Sequence, residues 1–227
     1  MRAQASIRIR SLNSFSLRSI PSVFTHYSAK IVADISLKMH ETLLGSDTIR
    51  AEPRIFTVEY HQDDPAKCTS AKMRKFGFAT LAVPQKISKD AIVLDPFTEK
   101  TLQSSDREYA TKGGLVIIDC SWVRASEVFM RRFKGQHRRL PALIAGNPTN
   151  YAKIWSLSSV EATGASLYIM NFREAAMRLL SIYKWGQTFL SLNQEPLDDY
   201  SISVSEDQIK ITERSYFPKA FKDAGTQ

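Results

Sequence analysis

The block from Gly113 to Ala162 reads GLVIIDCSWVRASEV over 114–128, LPALIAGNPTNYAKIW over 140–155 and SLSSVEA over 156–162. Leu115 to Ile118 is an apolar, β-branched run of the kind that makes a buried strand, and it stops abruptly at Asp119, Cys120, Ser121 and Trp122. In α/β folds, ligands bind just beyond the carboxyl ends of such strands. Asp119 then reads either as a carboxylate tuned by partial burial or as a turn-forming cap, and Trp122 equally suits a core. Ala142 to Ala145 reads as a second short strand, broken by Gly146-Asn147-Pro148. Two strand ends separated by one helix converge on one crevice if the sheet is parallel.

Upstream, Arg54 to Tyr60 (RIFTVEY) alternates as a strand does, polar HQDDPAKCTS follows, and AKMRKFG suits a short basic helix or turn. Thr80 to Val83 and Ala91 to Leu94 are further strand candidates, the second stopped by Asp95-Pro96. Asp106 to Ala110 suits a short helix before Gly113-Gly114, and Ser126 to Phe133 a helix that runs into the basic stretch RRFKGQHRR. Apolar residues then recur at helical spacing: Val160, Thr163, Gly164, Leu167 and Tyr168; Phe172, Ala176, Leu179, Leu180 and Tyr183; and a third helix carrying Trp185, Phe189 and Leu192. Strands interleaved with helices, followed by helices alone, predict an α/β domain with a C-terminal helical cap. Residues 1–50 read as a basic, Ser-rich, poorly ordered extension, with a short helix near Ile31 to Leu44. The domain spans 51–200, divided into an N-terminal segment over 51–85 and the remainder over 86–200. Residues 201–227 read as a loose polar tail.

Composition narrows the function. The formal charge of +8 suits a polyanionic partner, although it suits an ordinary basic surface equally well. Cys68 and Cys120 are the two cysteines and have no Cys-x-x-Cys spacing, so a disulfide framework or a cysteine zinc site is not expected. The histidines His26, His40, His61 and His137 are scattered, and no metal site is expected. No Gly-rich dinucleotide fingerprint, Walker loop or serine elbow is present. No apolar run approaches the ~20 residues of a membrane-spanning helix, so no membrane partner is expected. The first 33 residues carry no acid while Arg2, Arg8, Arg10 and Arg18 alternate with Ser and apolar residues. That composition suits an organelle transit peptide, a basic arm that touches nucleic acid, or an ordinary extension.

Taken together, DCSW at 119–122, LPxLIAxNPxNY at 140–151, LSxxEA at 157–162 and KWGxxFLxLNxExLxxY at 184–200 resemble the 18S ribosomal RNA aminocarboxypropyltransferases, over about Phe56 to Tyr200. Upstream, DDPAKCTSAKMRKFGF at 63–78 resembles the family's Cys-Asp-Pro, two basic residues, Cys-Thr or Cys-Ser, then Gly. Here Asp63 or Asp64 replaces the first cysteine and Ser70 stands where Gly is usual.

The resemblance implies a SPOUT-like parallel sheet with a deep trefoil knot, which general topology rules would reject. It also implies S-adenosylmethionine as co-substrate, and transfer of its 3-amino-3-carboxypropyl group to N3 of an N1-methylpseudouridine in small-subunit rRNA during ribosome biogenesis. Donor contacts are implied at Thr69, Leu94, Pro96, Ile118, Asp119, Trp122, Ala125, Leu140, Trp155 and Ser159. Trp122 and Ala125 would bury the methyl group, and Asp119 would act electrostatically or as base. Lys72, Arg74, Lys75, Arg131, Arg132, Lys134, Arg138 and Arg139 are the candidates for RNA backbone contacts. A SPOUT-class RNA methyltransferase and a non-catalytic RNA-binding assembly factor are the alternatives. A monomer in the cytoplasm or nucleus is expected, with organelle targeting as the other reading.

Overall fold

The structure, a computed structural model, describes residues 52–60, 68–121, 124–130 and 133–221. Five parallel strands form one sheet: β1 (Ile55–Glu59), β2 (Thr80–Leu81), β3 (Ile92–Leu94), β4 (Leu115–Asp119) and β5 (Gln136–Arg138), in the order β2-β1-β4-β3-β5. Helix α1 (Thr69–Lys75) lies between β1 and β2 in sequence, α2 (Arg107–Gly113) precedes β4, and α3 (Ala125–Phe129) follows it. Helices α4 (Ser159–Ile169), α5 (Arg173–Leu180), α6 (Gly186–Ile202) and α7 (Glu206–Tyr216) complete the chain.

Strand alternation divides the interior. Ile92, Leu94, Leu115 and Ile117 join one core with α4, α5 and α6, whereas Val93, Val116 and Ile118 join Val58, Val128 and Phe133 on the other face. This is the two-residue period of a pleated strand acting on β-branched runs that are buried on both sides. Asp119, two residues beyond Ile117, therefore faces the helical layer. The Gly113-Gly114 pair lets α2 feed β4: Gly114 has φ +92°, and a Cβ on Gly113 would collide with the Asp90–Ala91 backbone.

Three expectations are corrected. Ala142 to Ala145 is not a sheet strand; it meets Ile154 through one antiparallel bridge at Ile144, and the fifth strand is Gln136–Arg138 inside the basic run. The apolar residues Ala142, Leu143 and Ala145 are fully buried all the same. The amide of Asn193 on α6 donates to the Ile144 carbonyl at 2.8 Å and accepts from its N–H at 2.7 Å, doing for Ile144 what a neighbouring strand would do. Helix α3 ends at Phe129, short of the Phe133 read from the pattern. The described part of the segment beyond 200, through Phe221, is not a loose tail: Ser205 caps α7, whose Ile209 and Glu213 are buried.

Candidate functional site

Strands β1 and β4 are neighbours, yet the chain leaves β1 towards β2 on one side and leaves β4 towards β5 on the other. Their carboxyl ends are thus a topological switch point, where open parallel sheets form a crevice. The register pairs Glu59 with Asp119, so two strands end in acids side by side. The sequence showed both acids, at the ends of RIFTVEY and LVIID, but not that the strands pair.

Three side chains, from the starts of two helices, converge on Asp119. Ser159, the first residue of α4, donates to Oδ1 at 2.7 Å. Oδ2 accepts from Ser70 of α1 at 2.5 Å and from the Cys68 thiol, just before α1, at 3.1 Å. Burial pushes the Cys68 thiol up, and the nearby Asp119 charge adds to this, so it remains a neutral donor. Glu59 is held by Arg74 through two bonds of 2.7 Å and accepts from Ser70 at 2.9 Å. Tyr183, after α5, donates to the Thr69 carbonyl at 3.0 Å, and the Lys72 ammonium lies 4.0 Å over its ring. Burial, with the Asp119 charge adding to it, raises the Tyr183 hydroxyl above its ordinary value.

The second wall is the loop between Leu140 and Ser159. Glu161, fully buried in the first turn of α4, accepts five bonds: from the backbone of Gly146, Asn147 and Ser158, the Asn147 amide and the Ser158 hydroxyl. Ser158 and Glu161 form a capping box, extended here to anchor the Gly-Asn-Pro turn. Trp155 has φ +63° and is 41% exposed, so a left-handed backbone presents a large ring to solvent, with Phe221 edge-on at 5.5 Å.

Of the expected donor contacts, the structure joins Asp119 to Ser159 directly, places Ile118 beside Asp119 at the end of β4, and sets Thr69 at the start of α1, next to Ser70. Leu94 ends β3 and is followed by exposed Pro96; Ala125 starts α3; Leu140 and Trp155 flank the anchored loop. Trp122, Arg131 and Arg132 lie outside the described residues, as do the segment Ile31 to Leu44, where a short helix is expected, and Asp63 and Asp64. Among the basic candidates, Arg74 is bound to Glu59, Arg138 to Asp106 at 2.9 Å, Arg139 to Glu213 at 2.8 Å, and Lys72 to the Ile182 carbonyl at 2.9 Å; Lys75 and Lys134 are exposed. Sequence reading missed Glu59, Ser70, Glu161 and Tyr183 as members of this site. Cys68, Glu59 and Asp119 bring ligand-type atoms within 4.8 Å of one another, but their polar atoms already bond to each other and to Ser70 and Arg74.

These features define the open, parallel α/β class whose switch-point crevice takes a small molecule, with a hydrogen-bonded carboxylate at its base. Residues 92–217 match the family model described as "Ribosome biogenesis protein, C-terminal". The 16S rRNA aminocarboxypropyltransferase of Sulfurisphaera tokodaii is 45% identical over 166 residues, covering 73% of this chain and 96% of that one. The 16S rRNA aminocarboxypropyltransferase of Vulcanisaeta distributa is 46% identical over 152 residues, 66% of this chain and 82% of that one. The solved structure of the SAM-dependent rRNA:acp-transferase Tsr3 from Vulcanisaeta distributa matches with TM-score 0.64 and 40% identity, over 72% of this chain and 97% of its own. The chain belongs to the rRNA aminocarboxypropyltransferase family.

Residues 53–86 also match the model "Possible Fer4-like domain in RNase L inhibitor, RLI". An iron–sulfur cluster is held by about four thiolates, whereas Cys68 is the one cysteine in that segment. The residues do not fit a cluster there.

Proposed function

We propose that this chain transfers the 3-amino-3-carboxypropyl group of S-adenosylmethionine to N3 of an N1-methylated pseudouridine in small-subunit (18S) ribosomal RNA during ribosome biogenesis. The observation that carries the reading is Asp119: a carboxylate at the switch point, both oxygens pinned by Ser70, Cys68 and Ser159. The donor, when bound, supplies an electrophilic carbon beside a sulfonium; the N3–C bond forms as the S–C bond breaks, methylthioadenosine leaves, and the N3 proton passes to Asp119 if it acts as base, or to water if its role is electrostatic alone.

A fixed carboxylate in a partly dehydrated crevice favours a neighbouring positive charge without reorganising, so Asp119 serves the sulfonium or amino end electrostatically. Leu94, Ala125, Leu140 and Trp122 supply apolar walls that orient the donor, Pro96 and Ile118 border it, and Thr69, Ser159 and Trp155 complete the contacts. Which carbon faces the base is then a matter of orientation. RNA backbone contacts fall to Lys75 and Lys134 and to Arg131 and Arg132; Lys72, Arg74, Arg138 and Arg139 serve by shaping the surface, because their charges are engaged internally. The reading includes a SPOUT-like trefoil knot capped by α4–α7, and a monomer working in the cytoplasm or nucleus.

The test is mass spectrometry of small-subunit rRNA with and without the gene, with product analysis in vitro. Methylthioadenosine supports the reading; S-adenosylhomocysteine would assign methyl transfer instead. Single-turnover transfer by Asp119→Asn at saturating donor separates the roles: an unchanged rate removes the base role and leaves the electrostatic one.

A further inference from the structure

We propose that Ser70 is a positioning residue that ties Asp119 to the Glu59–Arg74 ion pair and so sets donor affinity; the proposal rests on the reading of Asp119 as a donor contact. Ser70 is fully buried at the second position of α1, and its one hydroxyl lies 2.5 Å from Asp119 Oδ2, 2.9 Å from Glu59 Oε1 and 3.0 Å from Cys68 Sγ. A hydroxyl carries a single proton, so Ser70 donates to one of the two carboxylates at a time.

Compensation decides which. Glu59, its side chain 3% exposed, already accepts from Arg74 Nε and Nη2, each at 2.7 Å. Asp119 has no cation among the partners described around it, only the Cys68 thiol and the Ser159 hydroxyl. The Ser70 proton is therefore worth more on Asp119, and the serine holds Oδ2 from α1 while Ser159 holds Oδ1 from α4. The register of β1 against β4 places Glu59 and Asp119 side by side, and Ser70 is the link between them. Without its hydroxyl, Glu59 and Asp119 face each other unlinked, and the Cys68 thiol just before α1 is the described side chain that still ties Oδ2 to that helix.

The charged and titratable groups facing this cluster are Cys68 before α1, Glu59 at the end of β1, Tyr183 after α5, Arg74 on Glu59, and Lys72 over Tyr183. Burial keeps Cys68 and Tyr183 neutral, and their protonation does not change across mildly acid pH. When Ser70 loses its hydroxyl, the Cys68 thiol and the Ser159 hydroxyl are the described side-chain donors left on Asp119.

The experiment is calorimetric titration of S-adenosylmethionine into the full chain, as the wild type and as the Ser70→Ala, Ser70→Gly, Asp119→Asn and Ser70→Ala/Asp119→Asn variants. Folding is checked by circular dichroism, and Gly is included because the family pattern usually carries it there. Loss of a hydrogen bond to a charged group predicts about a 10-fold weaker affinity for either Ser70 variant. In the Asp119→Asn background, Ser70→Ala should change affinity by less than about 2-fold. Equal losses in both backgrounds, or Ser70 variants that bind as tightly as the wild type, overturn the proposal while the donor site stands. A wild-type chain that does not bind S-adenosylmethionine overturns the donor reading and this proposal with it.

Discussion

Replacing Glu161 by Gln tests whether one buried carboxylate holds the site's second wall to α4. The carboxylate has five neutral donors, and both oxygens are in use: Oε1 accepts from the N–H groups of Gly146 and Asn147, and Oε2 from Asn147 Nδ2, Ser158 N and Ser158 Oγ, all within 2.9 Å. A glutamine can place its oxygen at the first position and keep two bonds. Its amide then meets three donors at the second, where only the Ser158 hydroxyl can turn to accept. Ser158 N–H and the Asn147 amide lose their acceptor. Each unsatisfied buried donor costs about 1–3 kcal/mol, so the substitution should destabilise the fold by about 3 kcal/mol. For a chain of this length that lowers Tm by about 6–12 °C. Thermal and urea unfolding of the wild type and Glu161→Gln measure it. A drop below about 2 °C would refute the argument that the turn is anchored through this carboxylate.

Arg139→Ala should act on stability rather than on RNA: it leaves Glu213, 1% exposed, with a charge whose two guanidinium bonds are gone, and unfolding should show a loss of about 3 kcal/mol. Unchanged unfolding with weakened RNA binding would return Arg139 to the RNA surface. Neutralising Lys75 and Lys134 together should lower the salt-dependence slope of RNA binding by about 2, whereas a slope that does not change removes them from the interface. His137 has Asp95 Oδ2 at 2.7 Å from Nδ1 and the Phe133 carbonyl at 2.7 Å from Nε2, so only the doubly protonated ring donates to both. The hydrogen bond to Asp95, against burial, raises its pKa above the ordinary value. Its stabilisation is therefore fully present below the unfolded pKa and lost as pH rises through the folded one. The Tm difference between the wild type and His137→Gln should shrink across that range; a difference independent of pH would refute the assignment.

Local pattern sufficed for LVIID and for the helices after Ser158, because burial on both faces or on one stripe leaves a periodic trace. It failed at β5, whose Gln-His-Arg side chains are half-buried at the sheet edge and satisfied by Asp95 and Asp106 rather than by apolar contact. It failed again at Ala142 to Ala145, where an apolar run is buried against α6 and Asn193 replaces a strand partner. The polar α7 was missed because its buried face rests on Ile209 and one carboxylate, Glu213.

By itself, the sequence determined the class of fold, the family motifs and the acid at the end of the central strand. These depend on residue type and short spacing. Only the tertiary structure decided which groups surround that acid, because strand order and register bring Glu59, Ser70 and Ser159 to Asp119 from across the chain. It also decided which basic residues keep a charge for a partner, since an ion pair such as Arg139–Glu213 joins positions that no local pattern connects.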